Sequence, residues 1–259
     1  MAFSIQVAPI SSRRIPLLAA ICVSACALAA APPDTFQTSA GPVTMTPIRH
    51  ASLTLAANGK LIYIDPSPAA RFAHRAKADL ILITHTHADH FDPGALSELR
   101  KSDTSIIAPP AVAKLLPGVR VHVLANGQQT QWDGWHILAV PMYNIKRGPG
   151  AGVFYHPKGR GNGYVLTYGG KRFYIAGDTE NIPEMRRLRN IDVAFIPMNL
   201  PFTMTPGEAA AAVKAFHPKI VYPYHYRNGD GTLANTKQFK ADLAGTGIDV
   251  RLRNWYPPK

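Results

Sequence analysis

Apolar and polar positions alternate, run together or recur at helical spacing in turn along this chain, and these changes of period outline its elements. Residues 44–50 and 51–55 alternate as half-buried strands do. Ala57-Asn58-Gly59-Lys60 supplies a tight hairpin turn between them and a returning strand over 61–64, which ends at Asp65-Pro66. The unbroken apolar run 80–83 predicts a buried strand. Asp92 as N-cap and Pro93 at the first helical position open a helix through Arg100. Strands follow over 105–108, 119–124 and 135–140, with a short helix over 110–116. Residues 163–168 and 172–176 flank Gly169-Gly170 as a second hairpin, and 191–196 is a further strand. Thr205-Pro206-Gly207-Glu208 is a capping box on an alanine-rich helix reaching about Ala215. A buried strand over 220–224 and a last one over 249–253 complete the pattern. Residues 35–42 read as a short polar leader. Residues 143–162 read as a long glycine-rich loop of the kind that often carries function in a compact domain.

The N-terminus stands apart. Arg13-Arg14 precedes an apolar run over 15–23 and then small residues up to Ala31, which predicts a secretory signal over 1–29, cut after Ala27-Leu28-Ala29. The run is too short for a membrane-spanning helix. Val23-Ser24-Ala25-Cys26 resembles a lipoprotein box, whose cut before Cys26 would leave an acylated cysteine and attach the protein to a membrane. Ser12-Arg13-Arg14 resembles a twin-arginine export signal. Either route makes this an exported protein of a bacterial periplasm or cell envelope. The expected organisation is the signal over 1–29, a leader over 30–42 and one domain over 43–259, long enough for a substantial core.

Both cysteines, Cys22 and Cys26, lie in the signal, so the mature chain has neither a disulfide framework nor a thiolate for a metal. The formal charge is +12, and losing Arg13 and Arg14 leaves +10. The basic residues are scattered rather than striped with aromatics. With export, that excludes nucleic acid as the expected partner and leaves a small-molecule or lipid-like substrate.

The chemistry concentrates in Thr84-His85-Thr86-His87-Ala88-Asp89-His90, directly after the 80–83 strand. In an extended chain His85 and His87 point the same way and reach one ion. Asp89 and His90, past the turn, reach a second. Imidazole nitrogen with carboxylate oxygen suits zinc, and also manganese or iron.

This run resembles the signature of the metallo-β-lactamase superfamily, and the resemblance extends over 43–255. It implies an α/β fold of αββα type, two mixed sheets flanked by helices. It also implies a hydrolase holding two ions. Gly177-Asp178 at the end of the 172–176 strand matches the family's bridging carboxylate, and His225 after the 220–224 strand matches its final histidine. No histidine follows Val140, where some members have one. His156, placed before Gly159 and the second hairpin, is then the expected third ligand of the first ion, and Asn144 is expected next to the ligands or facing substrate. His50 and Asp65, at the ends of the first strands, resemble a branch that includes ascorbate-phosphate lactonases and the N-acyl-phosphatidylethanolamine phospholipase D. They are expected next to the ligands or facing substrate. Asp89 has a double expectation, as a ligand and as a catalytic group orienting the attacking hydroxide. His74, His122, His136 and His217 lack motif context and read as structural or surface residues. The expected reaction is hydrolysis of a lactone, amide or phosphodiester. A metal-binding protein without turnover, and a β-lactamase, are the alternatives.

Overall fold

The computed structural model describes residues 1–4 and 33–256. The remainder of the expected signal, with Arg13, Arg14, Cys22 and Cys26, lies outside the described residues, as do 257–259. Among the described residues no helix is long and apolar enough to cross a membrane.

The chain forms two seven-stranded sheets, each in sequential strand order. The first contains β1 (Asp34–Phe36), β2 (Val43–Arg49), β3 (Ser52–Ala57), β4 (Lys60–Ile64), β5 (Leu80–Leu82), β6 (Ser105–Ala108) and β7 (His122–Val123). The second contains β8 (Gln129–Trp132), β9 (Trp135–Met142), β10 (Gly161–Tyr168), β11 (Lys171–Ile175), β12 (Val193–Pro197), β13 (Ile220–Tyr224) and β14 (Asp249–Val250). Each sheet begins with antiparallel hairpins and turns parallel, from β4 onward in the first and from β11 onward in the second. The helices are α1 (Pro93–Leu99), α2 (Pro110–Ala113), α3 (Pro183–Arg186), α4 (Pro206–Phe216) and α5 (Thr236–Asp242), with a 3₁₀ turn at Ala69–Arg71.

The two-residue period of the strands decides what packs where. Ile62, Ile64, Leu80 and Leu82 point into the core shared by the sheets, against Ile137, Leu166, Phe173 and Ile175. Tyr63 and Ile81, one position along, point the other way, under Ala95, Leu96 and Leu99 of α1. Covered on both faces, β5 reads in sequence as an unbroken apolar run. On the far side α4 buries Ala209, Ala212, Val213 and Phe216 against the second sheet. The result is the expected αββα sandwich.

The local signals hold. Asn58 and Gly59 turn the β3–β4 hairpin at φ 49° and 71°. Asp92 caps α1 by accepting from Gly94 N and Ala95 N. Thr205 and Glu208 form the reciprocal capping box of α4. Three differences have plain causes. The supposed leader contributes β1, because Phe36 is buried edge-on to Phe173 at 5.6 Å and Asp34 is held by Arg253 at 2.7 Å. β7 and β14 pair over only two residues each, as edge strands. The strand β8 and the helices α3 and α5 went unread because β8 is largely polar, α3 is four residues long and α5 buries only Phe239.

Candidate metal centre

The site lies where parallel strands of both sheets end at their C-termini, the usual position of a ligand crevice in α/β folds. At three of these ends, and at the end of β2, the backbone turns through the left-handed region: Asp65 (φ 44°), Gly177 (φ 64°) and His225 (φ 46°), and His50 (φ 56°). A non-glycine residue there costs about 1–2 kcal/mol, a strain that tends to gather at functional sites. These turns bring Asp178 and His225 against His90 of the first sheet, set His50 against His225, and hold Asp65 beneath Thr84 and His90.

After β5 the chain is fastened to Asp65. Thr84 N donates to Asp65 Oδ1 at 2.7 Å and Thr84 Oγ1 to Asp65 Oδ2 at 2.6 Å. A turn follows, with His90 N donating to His87 O at 3.0 Å. His85, His87 and His90 therefore face one space, with ring centroids 4.7 Å (His85 to His87) and 4.1 Å (His85 to His90) apart. The second sheet adds His156, Asp178 and His225. His156 Nε2 lies 3.2 Å from His87 Nδ1 and 3.4 Å from Asp178 Oδ2. Asp178 Oδ1 lies 3.3 Å from both His90 Nε2 and His225 Nε2. His225 Nε2 is also 3.3 Å from Asp89 Oδ2.

All seven expected ligands are thus brought together. Together with His50, their donor atoms fall into three groups, each with atoms within 4.8 Å of one another: His85, His87 and His156; His85, His90 and Asp178; and His50, Asp89 and His225. His50 stands nearer than expected for a neighbour of the ligands, with Nε2 3.1 Å from Asp89 Oδ2. Asp65 takes the supporting place: its Oδ2 meets His90 Nδ1 at 2.7 Å and leaves Nε2 facing the site. Asn144 does the same for His156. Its Oδ1 accepts from His156 N at 2.8 Å and meets Nδ1 at 2.6 Å, while its amide donates to Phe202 O at 2.9 Å. His122 and His74 are exposed, His136 meets Gln129, and His217 ends α4 with a bond to Thr246 O.

The residues fit metal ions. His85 Nε2 and Asp178 Oδ1 are buried without a hydrogen-bond partner, and each such atom ordinarily costs about 1–3 kcal/mol. His90 Nε2 and His225 Nε2 face each other at 3.0 Å, a contact between like groups that a cation between them resolves. Burial and the neighbouring His90 hold His85 well below the usual imidazole range, and burial with His156 lowers His87. Both are therefore neutral, as ligation requires. Burial works against ionisation of Asp178, yet His225 and His90 outweigh it and keep the carboxyl well below its usual range. Burial likewise opposes Asp89, and His90, His225 and His50 outweigh it. Burial also opposes charging His90, and Asp178, Asp89 and Asp65 overcome it and raise His90 well above its usual range. The carboxylates thus draw positive charge into a buried space, which divalent cations would supply.

Because Asn144 fixes the ring of His156, Asn144→Ala is expected to weaken zinc binding by about 10–100-fold, the usual cost of losing a partner that orients a ligand. His156→Ala should cost at least about tenfold. Chelator competition on matched preparations measures both, and zinc affinity unchanged in Asn144→Ala would remove Asn144 from this role.

Three further contributors lie outside the expected ligands and their expected supports. Thr84 ties Asp65 to the cluster. Tyr256 OH meets His50 Nδ1 at 2.7 Å. Glu180 accepts from Ile145 N and Lys146 N at 2.6 and 2.8 Å and pairs with Arg147 at 2.5 Å, which pins the 143–160 loop beside the site. Each acts through another residue, so none sits at a recognisable spacing. Beside the histidines lies a small cleft, whose other walls include Met142, Tyr155, Pro157 and Arg160.

Comparison with known proteins agrees with this geometry. A family profile described as "Beta-lactamase superfamily domain" matches residues 44–225. A UPF0173 metal-dependent hydrolase of Thermococcus onnurineus is 33% identical over 214 residues, spanning 78% of this chain and 92% of the relative. A solved structure from Parabacteroides distasonis, assigned as a metal-dependent hydrolase, is 45% identical, with a TM-score of 0.79 over 86% of this chain and 98% of that one. Igni18, a metallo hydrolase of Ignicoccus hospitalis, is 25% identical, with a TM-score of 0.70 over 84% and 96%. The chain belongs to the metallo-β-lactamase superfamily and, within it, to the UPF0173 metal-dependent hydrolases.

Proposed function

We propose that this protein is an exported hydrolase that uses two zinc ions, or manganese or iron in their place, to cleave a lactone, amide or phosphodiester in the bacterial periplasm or cell envelope. The observation that carries the reading is the convergence of seven donor side chains, several with unpartnered atoms, beside an open cleft. His85, His87 and His156 would hold one ion, and Asp89, His90 and His225 the other, with Asp178 between them. Ions bound there supply Lewis acidity and bring the pKa of a water nucleophile toward about 7. The chain's own groups do the rest. Asp89, with a side chain 44% exposed, is the carboxylate that reaches the open face, where it orients the nucleophile. His50, bonded to Tyr256, fixes Asp89 from the other side. The substrate is a small or lipid-like molecule rather than nucleic acid. If Cys26 is acylated, the enzyme works attached to a membrane.

Two ions per chain are the expected result of elemental analysis on protein purified without chelator and reconstituted with zinc or manganese. One ion or none would remove the dinuclear reading. The activity itself is tested on zinc- and manganese-loaded protein with a panel of esters, lactones, amides, β-lactams and phosphodiesters. Turnover of a lactone, amide or phosphodiester supports the proposal. Full metal occupancy with no turnover of any member would instead make this a metal-binding protein without hydrolytic activity.

A further inference from the structure

Seven large apolar side chains are exposed in residues 33–256, and all stand on the end of the sandwich that carries the candidate site. Val123 ends β7, Leu200 follows β12 and Leu233 follows β13, at the C-termini of parallel strands. Ile145, Val153 and Phe154 lie in the loop after β9, whose last residue, Met142, lines the cleft. Leu115 lines a groove with Thr86 and Arg160, which line the cleft as well. Single exposed apolar residues need no explanation, but their confinement to one end of the molecule does.

Four of the seven form one patch. A Cβ at Gly148 would collide with Val153 O and stand 2.9 Å from Phe154 Cα, so the two arms of the loop touch there. Gly148 also lines a groove with Lys146, Arg147, Tyr155, Leu200 and Pro201, and Ile145 begins the same arm. Tyr155 is shared between this groove and the metal cleft, so the patch borders the mouth of the site. The backbone holds the apolar tips outward. Ile145 N and Lys146 N donate to Glu180, Tyr155 N to Arg147 O at 3.3 Å, and Leu200 N to Asn228 Oδ1 at 2.8 Å. Gly229 N closes the set on Leu200 O at 2.7 Å, and Tyr155 packs edge-on to Phe202 at 5.0 Å.

Cations stand among these tips. Lys114 and Arg160 line the groove of Leu115, and Arg186 lines a groove with Ile145. None of the three forms an ion pair among the described residues. The acids beside the patch are already paired: Glu180 with Arg147, Glu208 with Lys146 and Arg147, and Glu184 with Lys158. Fixed apolar tips ringed by free cations match the surface of an anionic bilayer, where the tips enter the acyl boundary and the cations meet the headgroups. A second copy of the chain would instead bring the same cations together. The path of the chain agrees with a membrane. β1 pairs antiparallel with β2, which ends at His50, so the residues before Asp34 depart from this same end. An acyl group on Cys26, seven residues before residue 33, would be tethered within about 25 Å of it in a fully extended chain.

We propose that Ile145, Val153, Phe154 and Leu200, with Lys114, Arg160 and Arg186, seat the mouth of the site on an anionic membrane surface. The inference goes beyond the hydrolase reading and needs neither turnover nor acylation. The test uses metal-loaded, full-length protein carrying Cys26→Ser, so that no acyl chain contributes. It is sedimented with vesicles of phosphatidylcholine, alone or with added phosphatidylglycerol. Anionic vesicles should bind more tightly than zwitterionic ones by about tenfold or more, and salt should weaken the difference. Phe154→Ser combined with Leu200→Ser should weaken binding by about tenfold or more, with the unfolding midpoint unchanged because both side chains are exposed. Phe154→Trp should bind as wild type does, and its added fluorescence should be quenched by brominated lipid in the anionic vesicles.

Equal binding by wild type and the double variant, or no quenching in Phe154→Trp, would overturn the patch. Binding indifferent to phosphatidylglycerol would overturn the role of the cations. Dimers seen by light scattering without vesicles and lost in the double variant, with no vesicle binding by wild type, would assign the patch to a second copy and overturn the proposal. Vesicle binding as expected, with no member of the substrate panel cleaved, would leave the membrane surface standing and count against the hydrolase reading alone.

Discussion

Asp178→Ala is expected to lower kcat/KM by at least about 10³-fold, roughly 4 kcal/mol of transition-state stabilisation, in protein that remains folded. Asp178 is where the donors of both sheets meet, with Oδ1 between His90 and His225 and Oδ2 facing His156. Without it the two candidate ion positions share no carboxylate, and nothing holds them in register. The alternative role, a cap for the following helix, finds no support: α3 has Ile182 at its N-cap and no side-chain capping bond. The side chain fills no part of the apolar core either. Thermal unfolding and kinetics on the same preparation separate the cases. Wild-type turnover per folded molecule would take Asp178 out of the site, and with it most of the case for a dinuclear hydrolase.

Asp65→Ala should damage the fold itself, by about 3–5 kcal/mol, the usual cost of removing one partner from a buried ion pair. Asp65 is fully buried and accepts from Thr84 N, Thr84 Oγ1 and His90 Nδ1. Its loss strands the Thr84 backbone N–H and leaves His90 free to rotate. Zinc affinity should therefore fall as well, by about 10–100-fold in the fraction that folds. Denaturant unfolding with and without zinc measures both. Asp65→Asn keeps an acceptor for Thr84 and should recover part of the stability. A midpoint unchanged in Asp65→Ala would show that Thr84 and His90 have other support.

The sequence made these positions legible to different degrees. His85, His87, Asp89 and His90 stand in one short run after an apolar strand, so pattern alone assigns them. Asp178 and His225 become visible only because each follows a strand signal, and His156 only from its place before a hairpin. His50 was read as a neighbour of the ligands. That it reaches Asp89 depends on the left-handed turn between β2 and β3, which no local composition announces. The role of Thr84, and Tyr256 and Glu180 altogether, are illegible for the same reason that they matter, since each works by orienting residues from a distant part of the chain. In the fold, elements with a strong period or a cap were readable. The edge strands were not, because a strand paired on one side needs little apolar content to stay in place.

The division of the candidate ligands between the sheets has a consequence for durability. His85, His87, Asp89 and His90 come from the first sheet, and His156, Asp178 and His225 from the second. An ion held by both groups is a cross-link between segments 66 to 140 residues apart, in a stretch, 33–256, that contains no cysteine. Because ions bound to the folded chain stabilise it by mass action, metal supply would set its resistance to proteolysis. A chelator would then act on this protein as a reducing agent acts on a disulfide-bonded one, loosening the two halves before any single residue is changed.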